Sequence, residues 1–119
     1  MLVLSRSDVD ALVADISPEV LAQLMADVFR RVSTNSDINI PHRSSIQTHS
    51  HNTLFMPSRV GTYGTAVKVV SAPTLGELNG LPATTLLVDE ASGGVKALVN
   101  ARNLTAVRTA AGASLHLFS

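Results

Sequence analysis

The chain contains no cysteine and no tryptophan, and Phe29, Phe55, Tyr63 and Phe118 are its only phenyl or phenol rings. Without cysteine there is no disulfide framework, no thiolate nucleophile and no zinc–thiolate centre, which fits a reducing compartment. So few rings cannot build an extended base-stacking platform, and a formal net charge of zero offers no phosphate-tracking surface. Nucleic acid is therefore not expected as a partner. No apolar run approaches the length of a membrane span, and the opening MLVLSRSD is too short and too soon charged for a secretory signal. The expectation is a cytoplasmic chain without a membrane partner. Also missing are G-x-G-x-x-G, a Walker loop, a G-x-S-x-G elbow and H-E-x-x-H, so this chain alone is not expected to hold a dinucleotide.

What is present describes an ordinary globular unit. Apolar residues make up 45% and charged residues 15% of 119, enough for a single domain over residues 1–119 that buries roughly two-thirds of its unfolded surface. The charge is unevenly spread: residues 1–37 hold six acids and three bases, residues 38–119 three acids and six bases. The second part thus supplies a cationic surface or pocket.

Ser7 followed by Asp10 predicts the start of a short first helix, because a hydroxyl cap and early acids suit a helix N-terminus. A second helix is expected where Ser17 caps, Pro18 takes the first helical position, and Val20, Leu21, Leu24, Met25, Val28, Phe29 and Val32 recur at helical spacing. Met25 and Phe29 read as core packing on this pattern. INIPHRSSI reads as an extended segment interrupted or edge-placed by Pro41. TLFMP, TAVKVVS and TTLLVDE read as strands, and ASGG as a hairpin turn into VKALVN. Residues 71–82 form the longest expected loop. A last helix is expected from NARNLTAVRTAAGAS, with Asn100 as its cap. Two helices, several strands and a closing helix make an α+β fold: helices packed on a mostly antiparallel sheet.

Three basic residues stand where a solvated charge is unusual or where anion chemistry is conceivable. Lys68 shares a strand face with Ala66 and Val70, so its ammonium either snorkels from an edge or meets an acid or anionic ligand. Arg108 lies beside the apolar stripe of the last helix; it either covers apolar surface or offers a forked donor to a carboxylate or phosphate. Arg43, beside Ser44 and Ser45, reads by default as a surface-loop arginine. His49 and His51 have the spacing of two imidazoles on one side of a strand, but no third ligand is near, so a polar loop is expected and no metal site. Asp89 and Glu90, before the hairpin turn, are expected to be solvated.

The ordered series RVSTNSDINIPHRSSI, LFMP, GTAVKVVS and GLPATTLLVDEASGGVKALVNARNLTAVRTAAGAS resembles the N-terminal domain of the ornithine cyclodeaminase / mu-crystallin family. Its most specific part is D-x-x-[ST]-G, a strand, L-T and R-T-A-A at the family's spacing. The resemblance implies a substrate-binding and dimerisation domain, followed in full-length members by a Rossmann domain for NAD or NADP. LHLFS departs from the family pattern where the first nucleotide-binding strand would begin, so a truncated member lacking that domain is expected, with no tight cofactor binding of its own. The resemblance further implies a small amino- or imino-acid carboxylate as ligand, a homodimer, Arg43, Lys68, Arg108 and Met56 at the substrate, Lys68 in the catalytic position, and Thr84, Arg108 and Thr109 near the cofactor. Relatives oxidise an amino acid to an imine and cyclise it with loss of ammonia, reduce ketimines, or act as amino-acid dehydrogenases; mu-crystallin-like relatives imply a non-catalytic alternative. Some ornithine-acting members carry an acid two residues before the Met-Pro pair, where this chain has Leu54, which confines the expectation to the α-amino or α-imino acid class.

Overall fold

A computed structural model describes residues 1–74 and 82–102. Its element order is β1 (Leu2–Leu4), α1 (Arg6–Ala14), α2 (Pro18–Thr34), β2 (Ile38–Asn39), β3 (Ser44–Gln47), β4 (His51–Val60), β5 (Gly64–Pro73), β6 (Ala83–Val88) and β7 (Val95–Asn100). The expected closing helix, with Arg108 and Thr109, lies outside the described residues, as does most of the expected 71–82 loop. The described part of that stretch is not loop at its start, because Ser71, Ala72 and Pro73 continue β5.

Helix starts follow hydroxyl chemistry. For α1 the cap is Ser5 and not Ser7: its hydroxyl accepts from the Asp8 N–H while the Asp8 carboxylate accepts from the Ser5 N–H, a reciprocal pair that satisfies two otherwise orphaned donors. The displacement by two residues arises because Asp8, three beyond Ser5, completes that box. For α2 the expected signal holds, with Ser17 accepting from the Val20 N–H and Pro18 at the start. It ends at Asn35, which adopts the left-handed conformation at φ 53°.

The strands run in the order β1-β7-β6-β5-β4-β2, with β3 also on the outer side of β4. All pairings are antiparallel except β1 with β7. Strand β1 was not among the expected elements; three residues carry too little periodicity, and only a partner brought from far along the chain gives them a ladder. The INIPHRSSI segment splits into β2 and β3, which pair with opposite ends of β4. Pro57 falls between those two pairings, where a missing N–H costs no ladder bond on that edge. The β6–β7 hairpin closes as expected through ASGG: Gly93 takes φ 78°, and the Asp89 carboxylate accepts from the Ala91 N–H.

Paired residues share a face, so Met56, Lys68, Thr85 and Val99 stand in one row across four strands. Ala83 and Ala97 on that same face are buried, as are Val9 of α1 and Ala101. On the opposite face Val67, Val69, Leu86 and Leu98 remain half-exposed. The apolar stripe of α2 is wider than its seat: Leu21, Met25 and Val28 are half-buried, whereas Phe29 is 52% exposed and does not take the core position expected for it.

Candidate functional site

Strand β5 sets Lys68 between Met56 of β4 and Thr85 of β6, the three side chains standing on one face by register. Above that row lies a cavity of about 330 Å³, lined by Lys68, Met56, Thr85, Val28 of α2, Ile40 and Ser58, with Pro57, Val60 and Ala66 completing the wall. Sequence periodicity alone put Lys68 among apolar neighbours. The register adds what they enclose, a hollow with one cationic tip, one hydroxyl from β6 and one from β4. Lys68 takes part in an interaction of its own, and an ammonium with three N–H donors can serve a ligand alongside it.

The α2 wall of this cavity is anchored at its far end by a polar clamp. Tyr63 Oη donates to Asp27 Oδ2 at 2.6 Å, and Arg31 Nε donates to the same oxygen at 3.1 Å. Arg31 Nη1 also donates to the Gly61 carbonyl at 2.7 Å, and its guanidinium lies 5.4 Å from the centre of the Tyr63 ring. The hydrogen bond from Tyr63, then that from Arg30, hold the Asp27 carboxyl down at about 2. The same bond pushes the Tyr63 hydroxyl up, because ionising it would put two negative charges together. The clamp fixes the helix turn that carries Val28, which lines the cavity with Lys68 and Met56.

A second polar cluster ties strand ends together beyond the cavity. Arg59 Nε donates to Glu90 Oε1 at 2.9 Å and Nη1 donates to Asp37 Oδ1 at 3.0 Å, while the Thr65 hydroxyl donates to Glu90 at 2.6 Å. Glu90 is thus bonded across to β4 and β5 and not simply solvated as expected; first the Thr65 hydroxyl and then Arg59 draw its carboxyl below the usual range. Asp89, unlike the exposed Glu90, is half-buried, and it spends one carboxylate oxygen on the hairpin turn.

Of the residues singled out in the sequence, Lys68 and Met56 come together. Arg43 is exposed between β2 and β3 and is not among the described residues lining the cavity. Thr84 is exposed and, by strand alternation, on the face opposite Lys68; its neighbour Thr85 is the one that reaches the cavity. Arg108 and Thr109 lie outside the described residues, so the convergence of three cations is not visible. His51 opens β4 while His49 sits in the preceding turn, so the two do not share a strand face. Among the described residues no three His, Asp or Glu side chains gather as a metal site would need, and no helix is long and apolar enough to cross a membrane. Thr85, Val28 and Ile40 were missed because cross-strand register and helix placement, not local pattern, bring them to the site.

No protein-family model matches the chain, and no curated protein does. Solved structures do. Δ1-Pyrroline-2-carboxylate reductase of Thermococcus litoralis, in complex with NADH and L-proline, is 33% identical with a TM-score of 0.78, over 95% of this chain and 36% of that one. An archaeal alanine dehydrogenase dimer with bound NAD has a TM-score of 0.78 at 19% identity, over 94% of this chain and 34% of that one. A probable ornithine cyclodeaminase from Bordetella pertussis Tohama I has a TM-score of 0.74 at 21% identity, over 93% and 33%. At 19% and 21% identity the last two speak for the fold, while the first adds sequence likeness along nearly the whole chain. The chain spans about a third of the length of these relatives, and it belongs to the family that includes pyrroline-2-carboxylate reductase and ornithine cyclodeaminase.

Proposed function

We propose that the chain is the substrate-binding part of an NAD(P)-dependent enzyme acting on an α-amino or α-imino acid, of the cyclodeaminase, ketimine reductase or amino-acid dehydrogenase type. The observation that carries this reading is the Lys68 ammonium in an apolar-walled cavity beside Met56 and Thr85. There an ammonium is worth more to a carboxylate than it is in water, because the low-dielectric walls weaken screening. Met56 and Val28 would cover the carbon skeleton, and Arg108 is the further cation proposed for the same carboxylate. A carboxylate gripped from more than one side is neutralised and oriented, which reaction at its α-carbon requires.

Arg108 and Thr109 are the positions proposed to face a nicotinamide cofactor, whereas Thr84, on the sheet face opposite Lys68, is not placed for that role. The described elements include no strand–glycine turn–helix unit that would cradle a pyrophosphate. Homodimerisation through the sheet is part of the proposal. It is supported by the half-exposed apolar row Val67, Val69, Leu86 and Leu98. The same row favours, as a second reading, a dimerising carboxylate-binding module without catalysis.

Calorimetric titration of the chain with L-proline and with L-prolinamide, which differ in the carboxylate alone, tests the anion site. The acid should bind at least tenfold more tightly; equal affinities would remove the reading.

A further inference from the structure

The lining of the cavity also bears on which carboxylates it admits. Its walls are apolar on three sides: Val28 comes from α2, Ile40 from the segment after β2, and Met56, Val60 and Ala66 from β4 and β5. Beyond Met56 and Lys68, the cross-strand pair Leu54 and Val70 continues the same face with two more aliphatic side chains. Among the described residues, the polar side chains in the lining are those of Ser58, Thr85 and Lys68. At about 330 Å³ the hollow is at the small end of ligand cavities, which run from about 300 Å³ to about 1,000 Å³.

We propose that this cavity takes α-amino or α-imino monocarboxylates whose remaining substituent is compact and uncharged, and that it discriminates against substrates carrying a second ammonium group. The inference rests on the carboxylate site proposed above. Once the carboxylate lies at Lys68, the far end of the ligand faces Val28, Ile40, Met56 and Ala66. A methylene or a five-membered ring gains apolar contact there. A second ammonium instead gives up its hydration against aliphatic walls and stands near a like charge on Lys68. Ser58 and Thr85 each offer one hydroxyl acceptor, which does not replace the shell of a cation with three donors.

L-Norvaline and L-ornithine separate this inference from the reading beneath it, because they share a carbon chain and differ in the distal ammonium. Titrated calorimetrically into the 119-residue chain at neutral pH, norvaline should bind at least tenfold more tightly than ornithine. Equal or tighter binding of ornithine, with norvaline binding and its amide not, overturns the discrimination and leaves the carboxylate site standing. Norvaline and norvalinamide binding alike, or neither amino acid binding, overturns the carboxylate site and this inference with it. Ile40→Asp supplies a gain-of-function arm. Ile40 is 51% exposed at the rim of the cavity, so the substitution should not disturb the fold. In that variant the ornithine-to-norvaline affinity ratio should rise about tenfold; an unchanged ratio, with norvaline still bound, places the substituent away from Ile40 and refutes the assignment.

Discussion

Lys68→Met is the substitution on which the anion-site argument turns. Methionine keeps an unbranched stem of similar length, so contacts with Ala66, Met56 and Thr85 persist while the positive charge is lost. Lys68 is half-buried and takes part in an interaction of its own, so losing the ammonium also loses that interaction, and the melting temperature is expected to fall modestly while the chain stays folded. A hydrogen bond to a charged group contributes about 1.5–3 kcal/mol, and every 1.4 kcal/mol is about tenfold in affinity. Binding of L-proline should therefore weaken by about tenfold to about a hundredfold, measured by calorimetry, with thermal unfolding run in parallel. Lys68→Arg, which keeps the charge but not the shape, should fall between the two. Unchanged affinity in a folded Lys68→Met chain would show that the ammonium does not meet the carboxylate, and the site would have to be sought elsewhere.

The clamp between α2 and the β4–β5 turn predicts a specific acid response. Asp27 titrates in the fold at about 2, below its ordinary 3.8, so its stabilising contribution is complete above about pH 4 and is lost as the pH falls toward 2. The difference in unfolding stability between the native chain and Asp27→Asn should accordingly be level from neutral pH down to about 4 and shrink below it; a difference that grows on acidification would contradict the clamp. Gly61→Ala should be destabilising by about 1–3 kcal/mol, since an added Cβ would overlap the Asp37 carboxylate and drive it from Arg59. Chemical denaturation reads this directly, and a neutral result would mean that Asp37 is free to move aside.

The lone charged residue in an apolar strand, the Met-Pro pair and the helix stripes could all be read from local pattern, because alternation and helical spacing are properties of a few consecutive residues. Helix α2 began where Ser17 and Pro18 said it would, and β4 to β7 fell where β-branched runs and turn residues placed them. Tertiary structure decided the matters that depend on residues far apart in the chain. Thr85 and not Thr84 enters the cavity because the β5–β6 register pairs it with Lys68. Tyr63 meets Asp27 across 36 positions, and β1 becomes a strand only beside β7. Local sequence sets which side chains share a face; which face then encloses a hollow is settled by the partners that fold back over it.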